Sequence, residues 1–199
     1  MKDHPYASRG GLKLAHALRT FGLDVSGWRC ADFGASTGGF TDCLLQNGAV
    51  SVVAVETGYG VLEYRLRQDS RVIVRERTNV LHAELPDEPV DLVTADLSWT
   101  RQERFLPIAL GWLGGRTEGR ILSLVKPHYE VEGSEKDLLV KGVLPEAATG
   151  AILARVLERL PSCGVEVLGS TRSPIRGGGS RSRKEGNVEY LVLMAPTGS

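Results

Sequence analysis

The stretch CADFGASTGGFTDCLL, residues 30–45, contains the features that decide the fold. An apolar run ends at Asp32, a loop of small residues follows, and a helical pattern begins at Phe40. A strand, a glycine-rich loop and a helix in this order are typical of open α/β sheets, in which ligands bind where the first strand turns into its helix. Three glycines would let the loop turn tightly and approach a ligand closely; they are Gly34, Gly38 and Gly39.

Two carboxylates indicate what this loop would hold. The loop lacks the G-x-G-x-x-G spacing of a dinucleotide fingerprint, so no pyrophosphate is expected. Glu56 ends the next apolar run, where a carboxylate can accept hydrogen bonds from both hydroxyls of a ribose. Asp32 would work near an amino-acid portion, and the pair therefore favours S-adenosylmethionine (SAM) as the cofactor. The alternatives are that Asp32 caps the following helix and that Glu56 is a solvated strand end.

Composition limits the class of protein. The chain has 199 residues, of which 42% are hydrophobic, so we expect a single domain over residues 1–199. Lys and Arg together number 24, as do Asp and Glu, so any nucleic-acid surface must be a local patch. No apolar run reaches membrane-spanning length and no signal peptide is apparent, which favours a cytoplasmic protein without a membrane partner. No metal site is expected, and three cysteines in apolar surroundings are expected to be buried thiols: Cys30, Cys43 and Cys163.

Apolar patterns predict an alternation of strands and helices. The predicted strands are 29–34, 50–56, 71–77, 89–98, 119–127, 165–173 and 187–195, and the predicted helices are 10–22, 40–48, 61–68, 102–113 and 145–164. Two long loops are expected at 128–144 and 174–186. The last two strands have no helix between them, which predicts an antiparallel pair at one edge. The fold class is therefore α/β: a Rossmann-like, mostly parallel, doubly wound sheet with an antiparallel edge strand.

Seven segments in order resemble one known family. They are SRGGLKL, DFGASTGGFTDCLLQNGA, VETGYG, ERTN, ADLSW, LVKPHYE and GNVEYLVL, which together span about residues 8–193. The sequence resembles the TlyA-type (hemolysin A) branch of the FtsJ-like ribose methyltransferases. This resemblance implies a SAM-dependent Rossmann-like domain and 2′-O-methylation of ribosomal RNA. Members of this branch usually begin with a small RNA-binding domain, which we expect this sequence to lack.

The resemblance also implies particular site residues. The family's catalytic tetrad corresponds to Lys13, Asp96, Lys126 and Glu189. Its SAM contacts correspond to Gly34, Ser36, Gly38, Phe40, Glu56, Asn79 and Asp96. The family more often has Asp at position 56 and Gln-Phe at positions 128–129.

A lysine in this tetrad would address a chemical difficulty. A ribose 2′-hydroxyl is a poor nucleophile, and methyl transfer from a sulfonium requires in-line alignment and partial deprotonation. Burial and the neighbouring charge of Lys13 would favour a neutral amine at Lys126, which makes it a base or an orienter of the hydroxyl. Asp96 and Glu189 would hold the two lysines. The alternative is that Lys126 and Asp96 form a structural ion pair at strand ends.

Substrate contacts are less specific in sequence. Basic residues could form a phosphate-contacting patch or a solvated face; they are Arg9, Lys13, Arg172, Arg176, Arg181, Arg183 and Lys184. Aromatic and imidazole rings could stack on a substrate or simply pack; they are Trp99, His128 and Tyr129.

Three functions are therefore compared. The first is methylation of RNA, with ribosomal RNA as the partner. The second is methylation of a small molecule or natural product, which zero net charge allows. The third is a non-catalytic SAM-binding module that binds RNA. The sequence predicts no oligomeric state.

Overall fold

Seven strands form one sheet in the part of the chain that this computed structural model describes, residues 4–178 and 186–198. Their order across the sheet is β3-β2-β1-β4-β5-β7-β6. The strands are β1 Arg29–Phe33, β2 Ser51–Val55, β3 Val72–Arg75, β4 Leu92–Ala95, β5 Arg120–Val125, β6 Val165–Arg172 and β7 Tyr190–Pro196. Strands β1 to β5 are parallel, whereas β7 is antiparallel to both β5 and β6. The α/β fold class and the antiparallel edge are confirmed.

Helices cover both faces of the sheet. They are α1 Gly10–Phe21, α2 Gly39–Gln46, α3 Tyr64–Arg67, α4 Gln102–Leu113, α5 Pro127–Glu130 and α6 Glu146–Arg159. One apolar cluster joins α1 and α2 to alternate strand residues such as Cys30 and Val52. The other joins α4 and α6 to the intervening residues, such as Ala31 and Val53. Strands covered on both faces must be largely apolar, and β2 is apolar at every position after Ser51.

The strand order reverses between β1 and β4, and this reversal positions the site. Strand β1 pairs with β2 on one side and with β4 on the other, so the connections leave in opposite directions. A crevice opens at such a point beyond the carboxyl ends of the strands. Gly34 follows β1 and Asp96 follows β4, so both residues lie at this crevice.

Three local predictions need correction. The helix expected over 61–68 is limited to Tyr64–Arg67. The loop expected over 128–144 contains the end of α5 and a 3₁₀ turn, Gly133–Leu138, because short local hydrogen bonds satisfy its backbone. The long helix expected to reach residue 164 ends at Arg159 and continues as a 3₁₀ turn, Leu160–Cys163.

The cysteines mostly follow the expectation of buried thiols. Cys30 and Cys43 are buried and free, whereas Cys163 is partly exposed. Burial raises the pKa of the Cys43 thiol to about 12, so this thiol is protonated at neutral pH. Among the described residues, none of the helices has the length and apolar character needed to cross a lipid bilayer.

Candidate active site

The loop after β1 requires glycine for steric reasons. Gly34 has a φ of +83°, and a Cβ there would lie 2.7 Å from the backbone oxygen of Asp96. Gly38 has a φ of +97°, and a Cβ there would overlap the side chain of Leu66. Only glycine adopts these conformations without strain and allows such close packing. The two glycines therefore hold the loop against β4 and α3.

Glu56 lies directly after β2 and fixes the opposite side of this loop. Its Oε2 accepts a hydrogen bond of 2.8 Å from the backbone N–H of Ser36, and its Oε1 accepts one of 2.8 Å from that of Gly58. Ser36 has a φ of +49°, which is strained for a residue with a side chain. The carboxylate therefore holds the loop and also borders the adjacent cavity.

The cavity beside Glu56, here the Glu56 cavity, has a volume of about 440 Å³. Gly34, Ser36, Asn79 and Asp96 also line it, together with apolar groups that include Val80, Leu81 and Leu97. Asn79 is exposed, and its side-chain oxygen accepts a hydrogen bond of 3.0 Å from the N–H of Leu81. A carboxylate next to an apolar wall suits a ribose with an attached base.

A second cavity of about 440 Å³ lies between the glycine loop and the start of α1, and is called here the Phe40 cavity. Phe40 forms part of its floor and is 3% exposed. Gly34, Ser36 and Asp96 line both cavities, so the two are continuous around the end of β4. The predicted contacts other than Asp32 and Gly38 line these two cavities.

Asp32 is placed differently from the prediction. It is fully buried, lines neither cavity, and accepts hydrogen bonds from the N–H and the hydroxyl of Thr41 at 2.9 and 2.7 Å. Burial raises the pKa of Asp32 to about 7. Its side chain thus fastens the first turn of α2 to β1, as in the capping alternative.

The four tetrad side chains meet in one cavity, although they come from four separate parts of the chain: Lys13 lies in α1, Asp96 and Lys126 follow β4 and β5, and Glu189 precedes β7. Lys126 Nζ lies 2.5 Å from Asp96 Oδ1, and Lys13 Nζ lies 2.5 Å from Glu189 Oε2. All four line the tetrad cavity, which has a volume of about 560 Å³. Lys13 and Lys126 are each 8% exposed, and buried ammonium groups are stable only when paired. Asp96 also lines the other two cavities, so it connects the three.

Rings border the tetrad cavity. The Tyr129 ring centroid lies 4.6 Å from that of Trp99 and 4.1 Å from that of His128. Trp99 is 82% exposed and has a φ of +62°. Burial, followed by the charges of Lys126 and Lys13, lowers the pKa of His128 to about 4, so its imidazole is neutral at neutral pH.

The predicted basic patch is only partly described. Arg172 and Arg176 both form ion pairs with Glu146, at 2.7 and 2.5 Å. Arg9 donates a hydrogen bond of 2.6 Å to the backbone oxygen of Gly178. Arg181, Arg183 and Lys184 lie outside the described residues. Glu146 is not among the residues that the sequence analysis singles out, although an acidic residue in the first turn of a helix is a recognisable signal.

The sequence analysis does not identify two residues that lie beside Glu189, Gly177 and Asn187. A Cβ at Gly177 would overlap the Glu189 carboxylate, so this carboxylate needs a glycine beside it. Asn187 lines the tetrad cavity, and its side chain forms hydrogen bonds with the backbone of Gly142 and Leu144. Gly177 is one of three consecutive glycines, so the sequence does not distinguish it from its neighbours. Asn187 stands two positions before Glu189 in GNVEY, and this proximity to a predicted site residue is a signal for it.

This sheet order and this crevice define the Rossmann-like methyltransferase class. The FtsJ-like methyltransferase family matches residues 6–195, and the chain belongs to this family. The protein is therefore a methyltransferase, and the TlyA-type resemblance drawn from the seven segments is confirmed.

Named relatives agree with this family. The chain is 41% identical over 196 residues to the 16S/23S rRNA (cytidine-2′-O)-methyltransferase TlyA of Mycobacterium tuberculosis, covering 96% of this chain and 69% of that one. A solved structure of a hemolysin-named protein of Streptococcus thermophilus has a TM-score of 0.89 at 36% identity, covering 100% and 70%. An S-adenosylmethionine-dependent methyltransferase of Mesorhizobium loti has a TM-score of 0.61 at 18% identity, covering 90% and 96%, which shows a shared fold.

Proposed function

We propose that this methyltransferase uses SAM to methylate the ribose 2′-hydroxyl of ribosomal RNA. The observation that carries this proposal is the tetrad cavity. Two ion pairs with buried lysines, Lys126–Asp96 and Lys13–Glu189, face it, and Asp96 connects it to the Glu56 cavity. The name of the mycobacterial relative, an rRNA (cytidine-2′-O)-methyltransferase, supports the choice of ribose and of ribosomal RNA.

The residues present fit SAM. Gly34 lines both the Glu56 cavity and the Phe40 cavity, Gly38 lets the loop pack closely on Leu66, and the Glu56 cavity pairs one carboxylate with an apolar wall. Glu56 would accept hydrogen bonds from the ribose hydroxyls, and Asn79, Val80 and Leu81 would border the base. The Phe40 cavity continues from there and would hold the amino-acid portion. When bound, SAM would supply a methyl group to an oxygen nucleophile: the O–CH₃ bond forms as the S–CH₃ bond breaks, and the sulfur leaves as the thioether S-adenosylhomocysteine.

Lys126 is the residue placed to act on the acceptor hydroxyl. Its Nζ lies 2.5 Å from Asp96 Oδ1 and donates a hydrogen bond of 3.2 Å to the backbone oxygen of Leu97, which fixes it at the edge of the tetrad cavity. A donor here would hydrogen-bond to the hydroxyl oxygen and stabilise the charge that develops on it as the hydroxyl proton passes to water. Of the two roles in the sequence prediction, the geometry supports the orienter.

The second ion pair positions the acceptor side. Glu189 is 4% exposed and holds Lys13, which lines both the tetrad cavity and the Phe40 cavity. The pair keeps a positive charge between the acceptor and the loop while leaving no buried charge unbalanced. Positioning of this kind is the main contribution that a protein can make to an in-line displacement.

The test is transfer of labelled methyl groups. Purified protein and tritiated SAM are incubated with ribosomal subunits and with deproteinised total RNA, and nuclease digestion locates the labelled nucleoside. We expect a 2′-O-methylated nucleoside in ribosomal RNA and none with Lys126→Ala. Label that enters only small molecules, or bases instead of riboses, would overturn the proposal.

A further inference from the structure

A tight turn forms one wall of the tetrad cavity. Val140 and Val143 exchange backbone hydrogen bonds of 2.9 and 3.0 Å, which places Lys141 and Gly142 at the tip of the turn. Lys141, Gly142 and Val143 all line the cavity. Lys141 has a φ of +52°, a conformation that costs a non-glycine residue free energy and persists only where the surrounding structure imposes it.

Asn187 imposes this geometry from the other side of the cavity. Its Nδ2 donates a hydrogen bond of 2.9 Å to the backbone oxygen of Gly142, and its Oδ1 accepts one of 2.8 Å from the N–H of Leu144. Its own backbone oxygen accepts a hydrogen bond of 2.9 Å from Gly177 N–H. Since Asn187 stands two residues before Glu189, the turn is held at a fixed position relative to the tetrad.

Lys141 differs from the other two lysines that line this cavity. Lys13 is paired with Glu189, and Lys126 is paired with Asp96, so their charges are balanced. Lys141 is exposed, and no carboxylate within the described ranges, 4–178 and 186–198, forms an ion pair with it. An acceptor polynucleotide brings a phosphate on each side of the ribose that is methylated. The unpaired ammonium at the cavity edge therefore suits an anion of this kind.

We propose that Lys141 contacts a backbone phosphate of the acceptor RNA and that Asn187 is a positioning residue that holds Lys141 in place. This inference rests on the proposed function, because it requires an RNA acceptor at the tetrad. It assigns substrate binding to the 140–144 turn, which sequence analysis had treated as part of a long loop.

The test compares two lysines of one segment, Lys141→Gln and Lys136→Gln. Lys136 is exposed, does not line the tetrad cavity, and has no ion pair within the described residues, so it is a matched control for loss of charge. Binding of the RNA that is methylated is measured over a range of salt concentrations. We expect Lys141→Gln to reduce the slope of log affinity against log salt by about 0.7–1, as expected for one lost phosphate contact. Lys136→Gln should leave the slope unchanged.

The role of Asn187 is tested by a double-mutant cycle. Asn187→Ala should raise the half-saturating RNA concentration more than it lowers the maximal single-turnover rate. Its effect should shrink when Lys141 is already Gln, because both changes remove the same contact. Additive effects would overturn the positioning role, with thermal unfolding used to confirm that each variant is folded.

The outcomes separate this inference from the proposed function. If the wild-type protein methylates RNA but Lys141→Gln and Lys136→Gln have the same salt slope, the phosphate contact is overturned and the function stands. If the wild-type protein neither binds nor methylates RNA, both proposals fall.

Discussion

Lys126 is the single residue on which the proposed chemistry depends most, and its ion pair with Asp96 holds it in place. Lys126→Ala should reduce single-turnover methylation by about 10²–10³-fold, because the donor that orients the hydroxyl oxygen and stabilises the charge developing on it is lost. Binding of SAM should be nearly unchanged, since Lys126 lines the tetrad cavity and not the Glu56 cavity. Lys126→Arg should not restore the rate, because a planar guanidinium places its donors differently. Asp96→Ala is the comparison and should impair both measurements, since Asp96 lines all three cavities. Near-normal rates in both Lys126 variants would show that the ion pair is only structural.

Glu56 is the residue on which cofactor binding is expected to depend, as the reaction depends on Lys126. Glu56→Ala should weaken SAM binding by about 1.5–3 kcal/mol, because charge-assisted hydrogen bonds to the ribose are lost. Isothermal titration calorimetry measures this change in SAM affinity. NAD serves as a negative control that should bind neither the wild type nor Glu56→Ala. Glu56→Gln is the matched control for shape, since it keeps one acceptor for the N–H of Ser36. Equal SAM affinity in all three proteins would remove Glu56 from the cofactor site.

At the scale of elements, the 173–178 segment packs closely against Glu189, which directly precedes β7. A Cβ at Gly177 would overlap the Glu189 carboxylate. Gly177→Ala should therefore displace Glu189 from Lys13 and lower the methylation rate. The protein should remain folded, because Gly177 does not have a positive φ.

Gly150→Ala is the control for this substitution. Gly150 lies inside α6, and a Cβ there would meet no atom within 4 Å. Alanine at this position should stabilise the protein by up to about 1 kcal/mol through helix propensity, with the methylation rate unchanged. The prediction is wrong if both alanine variants retain the wild-type rate.

Asp32 affects the stability of the whole molecule through its protonation. Burial raises its pKa to about 7 from an ordinary value of 3.8, so the folded state binds a proton that the unfolded state releases. Asp32 accepts hydrogen bonds from the Thr41 hydroxyl at 2.7 Å and from Thr94 Oγ1 at 3.3 Å, which lower its pKa, but the effect of burial is larger. The stabilising contribution of neutral Asp32 is therefore complete below about pH 4 and is lost as the pH rises through about 7.

Asp32→Asn tests this dependence because it keeps the shape and removes the titration. The difference in unfolding free energy between the wild type and the variant should change by more than about 1.4 kcal/mol from pH 4 to pH 8, in favour of the variant at high pH. Denaturant unfolding at several pH values measures it. Parallel pH profiles for the two proteins would contradict the prediction.

The sequence by itself determined the sheet, its antiparallel edge and the glycine loop. Strands such as β2 are largely apolar because both of their faces are covered, and this pattern is visible in the local sequence. Gly34 and Gly38 are likewise visible, because a turn with positive φ demands glycine wherever the rest of the chain lies. The tetrad residues were indicated by family resemblance and not by any local pattern.

The tertiary structure decided which of these residues meet and which do not. Asp32 lines neither the Glu56 cavity nor the Phe40 cavity, because it is buried and its two oxygens accept hydrogen bonds from Thr41 and Thr94. The tertiary structure also paired Arg176 with Glu146, and it joined Asn187 to a turn more than forty positions earlier, at Gly142. Spacing along the chain does not encode such contacts, because burial and charge pairing depend on groups that approach only when the sheet has formed.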